Sequence, residues 1–419
     1  MQLHFNSISE LGEPGVKWKK LFNSYWPAYN AWLNSKGAAY VPNLSTSRAA
    51  LEKYMPEMLP TYERLCHLVD NDPVAARFLT GFQPPAYISA CSQAFLSGDD
   101  IQLVRNYDYH PDLMDGTLLL SSWNGKKVMG TSDCLVGVVD GMNEDGLLIS
   151  LTFGGRKVVG EGFGIPFILR YVLEFCSNVQ EAVEALCRIP SHMSYNVTVI
   201  DMSGTFKTVL LAPDRDSVVT DAAITTNHQL KIDWPENATF NKTLERSAFL
   251  KNLVSERGLG ANTMADAFLR SPLYSSLHNE GFGTLYTVVY RPLEGTVQLR
   301  WLKQEILQSF DNFTEEHQLI RFGEPAPTAI SYTPLEQAPS AVAKSASQEA
   351  RLQDTSQVEW QETVADELLN AMVLSARSDD KERLGILRRN IVHRGEISWE
   401  ILADYWAQMG KSYWEKWQN

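Results

Sequence analysis

The sequence predicts an α+β fold: two antiparallel sheets stacked face to face and flanked by helices, an αββα four-layer sandwich, with a helical segment ahead of it and another behind. Three observations carry that expectation. From residue 86 onward, short β-branched and aromatic runs alternate with turn signals such as Ser97-Gly-Asp-Asp, Asn124-Gly, Asn143-Glu-Asp-Gly and Asp201-Met-Ser-Gly. Two helical patterns interrupt those strands and split them into blocks. The first ninety residues have a different texture, with large apolar side chains at three-to-four spacing.

In chain order, residues 15–80 read as helix. Trp18, Leu21, Phe22, Tyr25 and Trp26 form one stripe. A second helix opens at Ser45-Thr-Ser-Arg and is broken or kinked by Pro56 and Pro60. A third has Asp72 as its N-cap and Pro73 in its first position. Strands are predicted over 86–95, 101–109, 117–123, 127–131, 135–140, 147–153, 195–200, 206–211 and 217–225. Helices are predicted from Pro166 to about Cys176, from Asn178 to Pro190, and over 242–257 and 262–270. A hairpin, Thr284–Tyr290 with Thr296–Trp301, turns at Pro292-Leu-Glu-Gly. Residues 334–357, rich in Ala, Ser, Gln and Pro, read as a linker. Residues 358–419 read as a helical extension carrying Trp399, Trp406, Trp414 and Trp417, an aromatic stripe that docks on the core or forms a homo-oligomer contact.

Composition narrows the function. Of 419 residues, 44% are apolar and 21% charged, as in ordinary globular proteins, and the length allows more than one domain. A net charge of −13 disfavours nonspecific binding to nucleic acid or anionic membranes, because the overall field repels phosphate. The opening residues have neither a basic n-region nor an apolar h-region, and no stretch approaches the length of a membrane span, so a cytoplasmic protein is expected. Five cysteines, odd in number, widely spaced and without a C-x-x-C pair, predict free thiols. The eight histidines show no metal-ligand spacing, and neither Gly154-Gly-Arg-Lys nor Gly160-Glu-Gly-Phe-Gly fits a phosphate loop, so neither cofactor nor metal is expected.

The chemistry centres on Cys91, in Ala86-Tyr-Ile-Ser-Ala-Cys-Ser-Gln-Ala-Phe95, where helical texture gives way to strands. An internal thiol can attack the carbonyl of the preceding residue, Ala90. Hydrolysis of the resulting thioester frees an α-amino group on Cys91 itself, with a pKa near 7.7–8.0. That amine can act as general base to the thiol of its own residue, so no histidine is needed. A buried structural cysteine is the bland alternative. Fourteen residues on stands Arg105-Asn-Tyr-Asp108. On a regular strand Arg105 and Asp108 point to opposite faces, so both reach Cys91 only with a twist, a bulge or a strand end nearby. There Arg105 would favour the thiolate and Asp108 would hold the new amine.

Cys91, Arg105-Asn-Tyr-Asp108, Gly141-Met-Asn-Glu-Asp-Gly-Leu147 and Ser194-Tyr-Asn-Val-Thr-Val-Ile-Asp201, with Thr225-Thr-Asn-His228 and Gly283-Thr-Leu-Tyr-Thr-Val-Val-Tyr290, form an ordered set over roughly residues 86–302. It resembles the isopenicillin-N acyltransferase family of self-processing N-terminal-nucleophile (Ntn) hydrolases, and more distantly the choloylglycine hydrolases. The resemblance implies an Ntn sandwich with Cys91 as nucleophile, Arg105 and Asp108 beside it, and Asn196 as an oxyanion donor. It implies an active-site role for Arg246, whose alternative is a helix-surface arginine paired with Glu245 or solvent. It leaves Asn227 and His228 as architectural. The chain departs from the pattern twice. Thr152 stands where the choloylglycine branch has an asparagine and would offer a hydroxyl instead, to the oxyanion or the amine. Ala90 precedes the nucleophile where self-cleaving members often have glycine, which predicts slow processing.

The expected organisation is therefore a helical prosegment over 1–90, retained as a small subunit after cleavage at Ala90–Cys91; a catalytic domain over 91–333; the linker; and the extension. The expected activity is an amidohydrolase or acyltransferase acting on a small acyl-amide or acyl-thioester through acyl-Cys91. An unprocessed cysteine hydrolase of the same fold, and a non-catalytic binding or assembly module, are the alternatives.

Overall fold

The computed structural model describes residues 2–322, apart from 35–41, 98–100, 256–260 and 279–280. The expected linker (334–357) and helical extension (358–419) lie outside the described residues.

The chain opens with a strand, β1 (Gln2–Glu10), which corrects the expectation that residues 1–90 are helical throughout. Leu3, Phe5 and Ser7 alternate inward, and the polar third member is why the alternation is faint in the sequence. Four helices follow: α1 (Val16–Asn34), α2 (Leu44–Tyr54), α3 (Leu59–Leu68) and α4 (Pro73–Leu79). The punctuation is local. Asn43 caps α2 by accepting from Thr46 N, Pro56 opens a short 3₁₀ turn ahead of α3, and Asp72 caps α4 by accepting from Val74 N and Ala75 N.

The strand region then builds β2 (Ala90–Leu96), β3 (Gln102–Asp108), β4 (Thr117–Ser121), β5 (Val128–Asp133), β6 (Gly137–Asn143) and β7 (Leu148–Phe153). Helices α5 (Ile165–Phe175) and α6 (Val179–Arg188) separate these from β8 (Tyr195–Ile200), β9 (Phe206–Leu211), β10 (Val218–Thr220) and β11 (Ile224–Thr225). The predicted strand over 217–225 is thus two strands, and they join different sheets. After α7 (Pro235–Phe240), α8 (Thr243–Ser255) and α9 (Ala261–Phe268) come the hairpin β12 (Thr284–Arg291) and β13 (Thr296–Arg300), then β14 (Glu305–Ser309) and β15 (Glu316–Arg321).

Among the described residues the strands form two sheets. One has the order β10-β9-β8-β7-β6-β5-β4-β1-β15, the other β11-β2-β3-β12-β13-β14. Neighbours pair antiparallel except β1 with β4, which run parallel. Polar bonds join the facing sides: Gln93 of β2 donates to Thr198 Oγ1 of β8 and accepts from Ser150 of β7. Helices α5 and α6 lie on the first sheet. Helices α8 and α9 cover the second, where Leu250, Leu253, Met264, Ala265 and Phe268 close over Ala94, Val104 and Val289. The order helix, sheet, sheet, helix is the expected αββα sandwich.

The N-terminal segment is built into this frame. β1 is an inner strand, between β4 and β15. On α1, Trp18 Nε1 donates to Leu135 O at 2.8 Å, and the Tyr29 hydroxyl lies against both Asp115 and Asp133, two buried carboxyls whose pKa values burial raises. Leu51, Met55, Tyr62 and Leu65 line a small cavity together with Val136 and Phe167. No helix among the described residues is long and apolar enough to cross a membrane.

Candidate active site

Cys91 is the second residue of β2 and pairs with Tyr107 on β3, while Ala90 pairs with Asp108 and Gln93 with Arg105. Paired residues share a face, so Cys91, Gln93, Arg105 and Tyr107 point into the layer between the sheets, and Ala90, Ser92 and Asp108 point toward α8. The thiol is fully buried. Burial pushes its pKa up, the Arg105 guanidinium opposes that, and Asp108 adds to it.

Arg105 spans the gap between sheets. Its Nε donates to Leu151 O at 2.9 Å and its Nη2 to Cys91 Sγ at 3.4 Å, while Nη1 meets Asp140 of β6 and the Tyr286 hydroxyl. The Tyr107 ring lies beneath the guanidinium. Asp140 also accepts from the hydroxyls of Tyr286 and Tyr290, each at 2.7 Å. The carboxylate partner of Arg105 is therefore Asp140 from the opposite sheet, not Asp108. Sequence reasoning missed Asp140; its signal is a lone acid in the apolar strand Gly137-Val-Val-Asp-Gly.

Asp108 lies on the other face of β3. It accepts from Thr284 Oγ1 at 2.6 Å and stands 3.9 Å from Arg246. Asp108 is the last residue of β3, and beside it β12 carries an irregularity in register between Thr284 and Tyr286. Burial pushes Asp108 up to about 6, with Arg246 the largest opposing influence.

Arg246, on α8, is buried and central rather than a surface arginine paired with Glu245. Its Nη1 donates to Cys91 O at 2.6 Å and to Ser92 Oγ at 2.8 Å, its Nη2 to Asn227 Oδ1 at 2.6 Å, and its Nε to Asn241 O at 2.7 Å. Asn227 Oδ1 also accepts from Cys91 N at 3.0 Å, and its amide nitrogen donates to Phe153 O at 3.2 Å. The backbone is thus gripped on both sides of the nucleophile's Cα. Gly155 makes this approach possible: at φ +68° it passes so close to the loop that a Cβ would sit 2.2 Å from Asn227 O.

Two expectations are corrected here. Asn196, on β8, spends its amide protons on Thr152 Oγ1 and on the carbonyls of Thr226 and His228, each at 3.0 Å. It anchors the loop on either side of Asn227 and has no proton aimed at Cys91. Thr152 Oγ1 lies within 3.1 Å of Thr225 Oγ1 and 3.0 Å of Thr226 O, in the same anchor, not against the nucleophile. Asn227, taken as architectural, holds the position next to the Cys91 amide. Nothing in the sequence distinguishes it from Asn196, since both adjoin a short β-branched run, Asn227 after Ile224-Thr-Thr226 and Asn196 before Val197-Thr-Val-Ile200. His228 packs with Thr226 and Thr243 as architecture, and burial lowers its pKa.

An αββα sandwich with a cysteine near the start of an inner strand, its sulfur facing an arginine and its amide and carbonyl held by polar side chains, is the architecture of an Ntn hydrolase. Residues 96–305, half of the chain, match the family model described as acyl-coenzyme A:6-aminopenicillanic acid acyl-transferase, and the chain belongs to that family. The match begins five residues after Cys91. Among solved structures, a mutant conjugated bile acid hydrolase from Clostridium perfringens aligns at 15% identity over 58% of this chain and 99% of that one, with a TM-score of 0.35. Penicillin V acylase from Agrobacterium tumefaciens aligns at 14% identity over 53% and 86%, with a TM-score of 0.41. No curated protein sequence matches the chain.

Proposed function

We propose that this protein is a cysteine amidohydrolase or acyltransferase of the Ntn type, acting on linear amide or thioester bonds through an acyl-Cys91 intermediate, and that it matures by cleaving its own chain between Ala90 and Cys91. The observation that carries this is the grip on Cys91: Arg105 on the sulfur, Asn227 on the amide nitrogen and Arg246 on the carbonyl. A structural cysteine needs none of these. Full burial of the thiol in the uncleaved chain supports maturation before turnover, because a substrate cannot reach it without a rearrangement.

After cleavage the Cys91 nitrogen becomes an amine within reach of Asn227 Oδ1 and takes up the thiol proton as the sulfur attacks a substrate carbonyl. Arg105 favours the thiolate, and Asp108, at the Ala90 level of the strand pair, offers a carboxylate to the amine. The acyl group leaves on water, giving hydrolysis, or on an amine acceptor, giving transfer. The family description names transfer from an acyl-coenzyme A, and a thioester donor suits a thiol nucleophile.

Denaturing mass spectrometry of the purified chain tests the proposal. Two fragments dividing at Ala90–Cys91 are expected for wild type and one intact species for Cys91→Ala. An intact wild type removes the maturation step. Iodoacetamide labelling no faster at Cys91 than at the other thiols would remove the nucleophile.

A further inference from the structure

Cleavage poses a problem that turnover does not. The amine that serves as base afterwards is still an amide nitrogen, with no basic lone pair. Among the described residues, two side chains lie within hydrogen-bonding distance of Cys91 Sγ: Arg105 at 3.4 Å and Ser89 Oγ at 3.8 Å. A guanidinium only donates, so it cannot take the thiol proton. Asn227 Oδ1 is an amide oxygen already accepting from Cys91 N and Arg246. Asp108 points to the opposite face of the sheet. Ser89 is buried and stands two residues before the nucleophile, the spacing that puts side chains of an extended chain on one face.

We propose that Ser89 is a catalytic residue of the cleavage step alone, carrying the thiol proton to the departing nitrogen. The step presupposes the self-cleavage proposed above. As Sγ bonds to the Ala90 carbonyl carbon, the thiol proton passes to Ser89 Oγ and the serine's own proton passes to the Cys91 nitrogen. The C–N bond then breaks to leave an Ala90 thioester and a Cys91 amine. Water hydrolyses the thioester to the Ala90 carboxylate and the free thiol. Ser89 ends on the N-terminal fragment, so the residue that helps make the enzyme lies outside the fragment that carries turnover.

The test follows fragment formation by denaturing mass spectrometry from about pH 6 to about pH 9, the range spanning the amine and thiol pKa values. Wild type, Ser89→Ala, Ser89→Thr and Cys91→Ala are compared. Ser89→Ala is expected to slow cleavage about 100-fold, the lower range for general acid–base catalysis, and to make the rate climb about tenfold per pH unit as hydroxide replaces the relay. Ser89→Thr, which keeps the hydroxyl, is expected within a few-fold of wild type. Cleaved Ser89→Ala is expected to react with iodoacetamide at Cys91 as fast as cleaved wild type. Wild-type cleavage kinetics in Ser89→Ala, equal slowing in Ser89→Ala and Ser89→Thr, or slowed alkylation of the cleaved alanine variant would each overturn the assignment while leaving self-cleavage standing. An intact wild type would end both.

Discussion

Around Cys91 the structure separates two charges that the spacing Arg105-x-x-Asp108 places together. Arg105 is neutralised from the opposite sheet by Asp140 and Asp108 is matched by Arg246, so each acid–base pair straddles two layers of the sandwich. The Asp108 carboxyl sits at about 6 against an ordinary 3.8 because burial disfavours its charge. Its native pKa lies above its unfolded one. Its contribution to precursor stability is therefore complete below about pH 3.8 and is lost as pH rises through about 6. That difference corresponds to about 3 kcal/mol. Urea unfolding of Cys91→Ala, which stays uncleaved, and of Cys91→Ala/Asp108→Asn would read most of it: between about pH 4 and about pH 7 the first should lose about 2 kcal/mol more than the second, part of the difference being already lost by pH 4. The two asparagines divide similarly. Asn227→Ala removes the acceptor for the Cys91 nitrogen and should slow cleavage about 100-fold, the scale of losing one placed polar group at a reacting centre. Asn196→Ala only loosens the flanking carbonyls and should slow it by about tenfold. Equal effects would mean that Asn196 touches the reacting atoms after all.

Among the elements, the legible ones were those whose period is strong. The strands from β3 to β9 and the hairpin β12–β13 are close to their predicted bounds because their buried apolar runs stop at turn residues. The cap at Asp72 holds for the reason expected, a side-chain oxygen accepting from the first turn, and Asn178 caps α6 in the same way. What escaped was set by tertiary partners. β14 buries two of its five side chains and β15 one of its six, so both read as polar chain, and β1 has too few apolar residues to announce itself. In the site, Cys91 and Arg105 were legible from order alone. Which asparagine faces the nucleophile was not, because a loop folding back beside Gly155 decides it. The α8–α9 layer makes a separate prediction. Phe268 is fully buried against the second sheet, so Phe268→Ala should cost about 3–5 kcal/mol in denaturant unfolding. Asn106 of β3 donates to Phe268 O and lies two residues from Asp108 on the same face of the strand, so a cavity there should lower the cleavage rate as well.

For the molecule as a whole, the placement of β1 decides what cleavage can release. A prosegment of surface helices could leave once its peptide bond to Cys91 is cut. Here Gln2–Glu10 form an inner strand, hydrogen-bonded to β4 on one edge and β15 on the other, and β15 comes from beyond residue 300. Removing them would expose two strand edges and uncover Phe5, which packs edge-on against Tyr286 and Trp301 in the layer between the sheets. Trp18 and Tyr29 add anchors to Leu135 and to the Asp115–Asp133 carboxyls. The two fragments of the cleaved protein should therefore co-elute on native size exclusion and separate only in denaturant. A chain beginning at Cys91 and expressed alone should be insoluble or unfolded, and co-expression with residues 1–90 should restore a folded, iodoacetamide-reactive protein. A soluble, reactive chain lacking residues 1–90 would mean that the nine-stranded sheet tolerates the loss of β1, and that the N-terminal segment only guides folding.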